Sequence, residues 1–374
     1  MVFVLVLLSL VFGGGGYTYY HQVFLKDPRQ IAARELAKAG IPVSPESLLA
    51  AAERGDSKTA HWLLLNDVSP NAADASGKTA LMIAAARGDL SFIQTLAESP
   101  ALEISKTHPS GLAAIHAALQ NGRIEVAVAL RRMGSTEPLP LVDAVKVADT
   151  ALINDLIDQA KKPETIRALV NEPDPQGLSP LFWAVSLGHR EISETLIRLG
   201  ADVNFVSPHD GRTALIVAAS NNAVELIHTL LSNKADIEAK DRQGRTALLW
   251  AIATSNTNSA YALMQRGANR NAVNPEDGLT ALGLAVHKNL SGIIGPLLDS
   301  GADPLIKDKQ GLTPVEIAFH LGRFEIMEMI LRKSTKTYVD HPENLLPLLE
   351  AARAQKLGKV ELFLDNYAKG SIPE

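Results

Sequence analysis

The chain has 374 residues, 46% of them hydrophobic, which excludes a disordered tail and leaves room for one extended domain or two compact ones. Its formal net charge is -5 and its basic runs stop at pairs such as Arg131-Arg132 and Lys161-Lys162, which excludes a phosphate-binding stripe and with it a nucleic-acid partner. With no cysteine, disulfides, thiolate metal sites and cysteine nucleophiles are excluded together.

Residues 1 to 20, MVFVLVLLSLVFGGGGYTYY, carry no charged side chain, and the apolar stretch from 2 to 12 runs into four glycines and three tyrosines. Twenty helical residues span about 30 Å, enough for a bilayer, whereas an apolar run of about eleven is the length of a signal-peptide core. The segment therefore reads as a membrane anchor or a signal segment. Tyr17, Tyr19 and Tyr20 stand where an interfacial aromatic belt would lie, and no small-x-small alanine cleavage site follows, which favours a retained anchor over a cleaved signal peptide. Lys26, Arg29, Arg34 and Lys38 follow the segment and no basic residue precedes it, so the charge rule read literally puts the rest of the chain in the cytoplasm. If the segment acts as a signal peptide, the rest is periplasmic or extracellular. The side stays open.

Residues 21 to 43 form a linker containing a short helix, with Asp27 as N-cap, Pro28 at the first helical position and Gly40 as the stop. Beyond it a motif recurs. Its leading glycines are Gly77, Gly111, Gly177, Gly211, Gly244, Gly278 and Gly311, at steps of 34, 66, 34, 33, 34 and 33, the long step being twice 33. A fixed period of this length marks a repeat array. In these units, except the one at Gly111 where Ala113 stands, a Thr or Ser, such as Thr313 or Ser179, is placed to cap a first helix, with proline after it in those two cases. Small residues such as Ala218 and Ala219 close that helix. A second helix follows with apolar spacing near 3.6, as in Val224, Ile227, Leu230 and Leu231, and ends at a glycine such as Gly200, Gly267 or Gly301.

Extending the frame by one period predicts capping units from Ser44 and from Asn344. The double step hides a further unit anchored at Glu137, followed by an insertion near KKPETIRALVNEP. This gives ten units over residues 44 to 370, with 371 to 374 as a tail. The quoted units GKTALMIAA at 77, GLAAIHAAL at 111, GLSPLFWAV at 177, GRTALIVAA at 211, GRTALLWAI at 244, GLTALGLAV at 278 and GLTPVEIAF at 311 resemble the ankyrin repeat family, as do GADVN at 200 and GANRN at 267. The resemblance implies an all-α solenoid of helix-turn-helix units with protruding β-turn fingers. The family's histidine after the Thr-Pro-Leu triplet appears only at His116, so the coupling between units is expected to be looser or more apolar than the family's.

No HExxH, GxSxG or GxxxxGK[ST] occurs, and His189, His287 and His320 fall at ordinary repeat positions without a second ligand at metal spacing. No enzyme activity, cofactor, metal or small-molecule substrate is expected. Asp74, Asp174, Asp241 and Asp308 lie three residues before a leading glycine, and the period makes them turn formers rather than catalytic carboxylates. Trp183 and Trp250 share one position of the first helix and are expected in the core.

What remains is surface. The resemblance implies a concave face lined by the fingers and the exposed side of the first helices. On it fall Lys78, Arg87, Gln120 and Asn121, then Ser186, Arg212, Ser220 and Asn221, then Arg242, Arg245 and Thr254, and finally His287, Lys288, Lys309 and His320. The row tilts basic on an acidic chain, and Leu112, Leu178, Leu279 and Leu312 would add apolar side chains beside it. Such a mixed patch suits a protein partner with acidic and apolar features. The expected function is a protein-binding scaffold or adaptor at a bacterial-type membrane, with regulation or inhibition of an envelope enzyme as the alternative.

Overall fold

The computed structural model describes residues 27–368, so the apolar segment expected at residues 1 to 20 and the tail expected at 371 to 374 lie outside the described residues. The fold is all-helical. Among the described residues no strand forms, and the only ladder pairs are isolated bridges such as Val206–Thr213 and Val273–Thr280. The chain divides into two compact units between Val147 and Ala148.

The first unit opens with α1 (Pro28–Lys38), where the Asp27 carboxylate accepts the Arg29 N–H at 3.0 Å and Pro28 occupies the first turn. It is more than a linker: Ala32 and Leu36 are fully buried, and the helix packs on α3. Helix pairs follow in chain order: α2 (Pro45–Arg54) with α3 (Ser57–Leu65), α4 (Ala80–Arg87) with α5 (Leu90–Ala97), and α6 (Ala114–Gln120) with α7 (Ile124–Arg132). Then α8 (Leu141–Lys146) ends the unit.

The second unit begins with α9 (Thr150–Ala160) and α10 (Pro163–Asn171), and α10 is the form taken by the inserted residues. Four pairs follow: α11 (Pro180–Ser186) with α12 (Arg190–Arg198), α13 (Ala214–Ser220) with α14 (Val224–Ser232), α15 (Ala247–Ala253) with α16 (Thr257–Gln265), and α17 (Ala281–His287) with α18 (Ser291–Asp299). The unit continues through α19 (Pro314–His320), α20 (Phe324–Lys333) and α21 (Thr335–Asp340), and closes with α22 (Leu346–Ala354) and α23 (Gly358–Ala368).

Each first helix of the second unit's regular repeats is only seven residues long. Two turns are far below the length at which a helix holds on its own in water, so caps and stacking must supply the stability. Thr213, Thr246, Thr280, Thr313 and Ser179 each accept the N–H three residues on with the side-chain oxygen, a cap typically worth about 1 kcal/mol. Ala184, Ala218, Ala219, Ala251 and Ala285 are completely buried, and their small side chains let consecutive first helices stack.

In the second unit the steps of 33 and 34 have a structural cause in the fingers. In the Asp-x-Gln-Gly fingers one carboxylate organises the turn: Asp241 Oδ1 accepts the N–H groups of Gln243 at 2.9 Å and Arg245 at 2.8 Å, and Asp174 and Asp308 repeat the arrangement. The alternate fingers begin Ser207-Pro208 and Asn274-Pro275 and close one residue later, with Ser207 N–H bonded to Arg212 C=O and Asn274 N–H to Leu279 C=O. The extra residue makes the step 34. It also leaves the Asp210 C=O free to accept the Arg242 N–H at 2.8 Å and the Asp277 C=O to accept the Lys309 N–H at 3.0 Å, so fingers are joined in pairs.

The expectation of loose or apolar coupling between repeats is corrected by a second set of bonds. Asn71, Asn204 and Asn271 stand in the loops after second helices, and Asn171 is the last residue of α10. Each accepts, at 2.7 to 2.9 Å, the backbone N–H of Glu103, Asp202, Asp236 or Asp303 in the loop of the next unit. Asn204 also donates to Lys234 C=O at 3.1 Å, so one side chain satisfies a donor and an acceptor that no helix can reach. The coupling is polar and runs through asparagine rather than through the missing histidines. His116, the one histidine present, accepts the Ala113 N–H at 3.1 Å, whereas alanine offers no side-chain oxygen to cap the helix that follows.

Candidate protein-binding face

The fingers and the ends of the first helices carry the side chains expected at the binding face. In the first unit Lys78 is exposed on the finger organised by Asp74. That carboxyl is held below the usual range by the Ser76 hydroxyl first and by backbone N–H groups next. Arg87 is exposed at the end of α4 and donates back to Glu53 C=O. Gln120 and Asn121 are exposed at the end of α6, and Asn121 donates to Ala117 C=O at 2.8 Å.

In the second unit the sequence-predicted residues fall into three places. Ser220, Asn221 and Thr254 sit at the ends of α13 and α15. There Asn221 donates to Ser186 C=O at 3.3 Å, and Asn256 donates to both Ser220 C=O and Thr254 Oγ1, at 2.7 and 2.9 Å. These side chains are committed to helix ends and have little left for a partner. His287 and Lys288 at the end of α17, Lys309 on its finger and His320 at the end of α19 are exposed.

Arg212, Arg242 and Arg245 come together. They line an open pocket of about 390 Å³ with His209, Asp210, Asp241, Gln243 and Trp250, between two hydrogen-bonded fingers and the start of α15. Its base is the buried Asp241 carboxylate, whose Oδ2 accepts Trp250 Nε1–H at 2.8 Å and Arg245 Nε–H at 3.1 Å. The Arg245 guanidinium lies 3.9 Å from the centre of the Trp250 ring, and that of Arg212 lies 5.6 Å away. Flat guanidinium groups over an indole face are attracted by the ring's quadrupole. Arg212 is also held by Asp210. Burial pushes the Asp210 carboxyl up, but the Arg212 N–H, the Ser207 hydroxyl and the Arg212 guanidinium outweigh it and keep the carboxyl below the usual range. Arg242 donates to Pro208 C=O and, among the described residues, has no carboxylate partner.

Two expectations are corrected. The tryptophans are not core: Trp183 and Trp250 are half-buried, and each donates its indole N–H to the carboxylate nine residues earlier, Asp174 at 2.9 Å or Asp241 at 2.8 Å. A ring whose N–H needs an acceptor stays at the edge of the packed layer, where the finger supplies one. Leu178 and Leu279 do not join a surface patch either, because each is only 7% exposed. Leu112 is exposed and Leu312 half-buried. Of the pocket residues, Gln243, Asp210 and His209 are not singled out by the sequence, and Asp241 and Trp250 are read there as a turn former and a core residue rather than as surface. The pairing of Asp with Trp nine positions on, present at 174/183 and 241/250 and absent at 74/83 and 308/317, was the available signal.

A sequence model described as ankyrin repeats matches three times, over residues 48–136, 143–241 and 199–274, which together exceed half of the chain. The chain is 24% identical over 298 residues to the ankyrin repeat and KH domain-containing protein mask-1 of Caenorhabditis elegans, covering 78% of this chain and 10% of that protein. It is 30% identical over 213 residues to the ankyrin repeat and SAM domain-containing protein 6 of Danio rerio, covering 56% of this chain and 24% of that protein. The chain thus spans a quarter or less of the length of these two relatives. A solved ankyrin repeat domain from Acinetobacter baumannii AYE matches with 28% identity and a TM-score of 0.48, over 52% of this chain and 97% of that one.

Proposed function

From the premise that the chain belongs to the ankyrin repeat family, we propose that it is a non-catalytic protein-binding scaffold or adaptor whose recognition surface is the finger-and-first-helix face. The observation that carries the reading is the cluster of Arg212, Arg242 and Arg245 around Trp250. Arginine and tryptophan dominate binding energy at protein interfaces because they combine large contact area with directed donors. Here both are held in place by buried or finger carboxylates, so little ordering entropy is left to lose on binding. The partner presents acidic groups to this face, which favours fast, salt-sensitive association. Residues 1 to 20 tether the array to a membrane in this reading.

The test compares proteins captured by the wild-type chain with those captured by the triple variant Arg212→Glu, Arg242→Glu, Arg245→Glu, after both are shown to unfold alike. The reading expects a defined set of partners that the variant loses and that high salt weakens. An unchanged set would remove this face from the function.

A further inference from the structure

We propose that the pocket between the paired fingers 207–212 and 241–245 is a carboxylate-binding site, which takes a single acidic side chain of an extended peptide. The inference rests on the reading that this face binds protein, and it names the group that enters.

Charge sets the class of ligand. Three guanidiniums face two carboxylates in the pocket lining, so one positive charge is left over. Asp241 and Asp210 neutralise Arg245 and Arg212 through ion pairs, whereas Arg242 has no carboxylate partner among the described residues. The site thus has the deficit of one monoanion. A phosphoryl group, carrying close to two charges near neutral pH, would overfill it against two resident carboxylates.

Geometry sets the mode. The backbone bond from Arg242 N–H to Asp210 C=O, 2.8 Å, fixes the two fingers edge to edge and places Arg242 at the mouth. Arg242 spends one N–H on Pro208 C=O, which anchors the guanidinium and leaves its other edge for a fork-like pair with a carboxylate. Arg245 is clamped between Asp241 and the Trp250 ring at 3.9 Å, which makes a rigid wall rather than a mobile arm. The half-buried indole offers an apolar surface for the methylenes that carry the incoming carboxylate.

The other finger pair supplies an internal control. Lys309 occupies the place of Arg242 and donates its N–H to Asp277 C=O at 3.0 Å in the same way. There, however, Leu279 and Leu312 replace Arg212 and Arg245, and Ile317 replaces Trp250. The second pair thus has the scaffold without the recognition chemistry.

The experiment titrates the full-length chain at low salt with hexaglutamate, hexaglutamine and a Glu-to-phosphoserine hexapeptide. Affinity is read by calorimetry and position by the Trp250 indole N–H signal in a nitrogen–proton correlation spectrum. Hexaglutamate is expected to bind and shift that signal, hexaglutamine not to bind, and the phosphopeptide to bind no tighter than hexaglutamate. Arg242→Ala is expected to weaken hexaglutamate at least tenfold, the value of losing a charge-assisted pair, while Lys309→Ala changes it less than twofold. Arg242→Lys keeps the charge without the fork and is expected to fall between. If hexaglutamate binds but Arg242→Ala and Lys309→Ala behave alike, the pocket assignment is overturned while an acidic partner elsewhere on the face survives. Tighter binding of the phosphopeptide overturns the carboxylate class, and no binding of hexaglutamate by the wild type overturns the site altogether.

Discussion

Gly278 and Gly311 sit at the same turn position of neighbouring repeats with nearly the same backbone, φ +79° and +80°, but only Gly278 has another finger against it. A Cβ at Gly278 would stand 2.5 Å from the Lys309 backbone nitrogen and 3.0 Å from the Asp308 carbonyl carbon, whereas nothing lies within 4 Å of one at Gly311. Alanine in the left-handed region costs about 1–2 kcal/mol at either site. At Gly278 the backbone neighbour has no rotamer to change, so the fingers must separate. The bond from Lys309 N–H to Asp277 C=O is then lost, adding about 0.5–1.5 kcal/mol. The expected losses are about 1.5–3.5 kcal/mol for Gly278→Ala and about 1–2 kcal/mol for Gly311→Ala. Any stiffening of the unfolded chain by alanine is common to both and cancels in the difference. Urea unfolding followed by tryptophan fluorescence and circular dichroism measures it, with both probes required because a repeat array need not melt in one step. Equal losses in the two variants would refute the paired-finger account.

Asn204→Ala removes the side chain that accepts the Asp236 N–H and donates to Lys234 C=O, and should cost about 1–2 kcal/mol, read as a lower urea midpoint and faster exchange of the Asp236 amide. Trp250→Phe keeps the ring but leaves the Asp241 carboxylate short of one donor, and should cost about 1–3 kcal/mol in the same assay. Tyr338 is fully buried with its hydroxyl on Pro304 C=O at 3.2 Å, and burial first, then nearby carboxylates, push its pKa far above 10.0. The folded state therefore holds a proton that the unfolded state releases, so stability is unaffected below about pH 10 and falls as pH rises beyond it. Tyr338→Phe should flatten that alkaline slope, measured by thermal melts across pH 9 to 11.5 on the assay side, while an unchanged slope would place the titration elsewhere.

The fold was legible because its signals are local. A threonine before a two-turn helix and a glycine at positive φ act within a few residues, and repetition made each one count many times over. What escaped was whatever depends on a residue one repeat away. Asn204 belongs to the GADVN motif, but its partners, Lys234 and Asp236, lie 30 and 32 residues on. Trp250 was placed in the core because the helical period assigns it to an apolar column, and hydrophobicity alone does not separate a packed ring from one held at the rim by a carboxylate. Arg212, Arg242 and Arg245 were named from position within the repeat. Their convergence depends on the one-residue extension of the 207–212 finger, which showed in the sequence only as a step of 34 instead of 33.

The central claim, that the finger-and-first-helix face of the second unit does the recognising, is tested most directly by a photo-crosslinking residue placed in cells at Gln243 in the pocket lining or at Glu328 on α20. The account predicts a discrete adduct from Gln243, suppressed by Arg242→Glu, and none of that size from Glu328. The same adduct from Glu328 with none from Gln243 would put the binding surface on the second helices and contradict it.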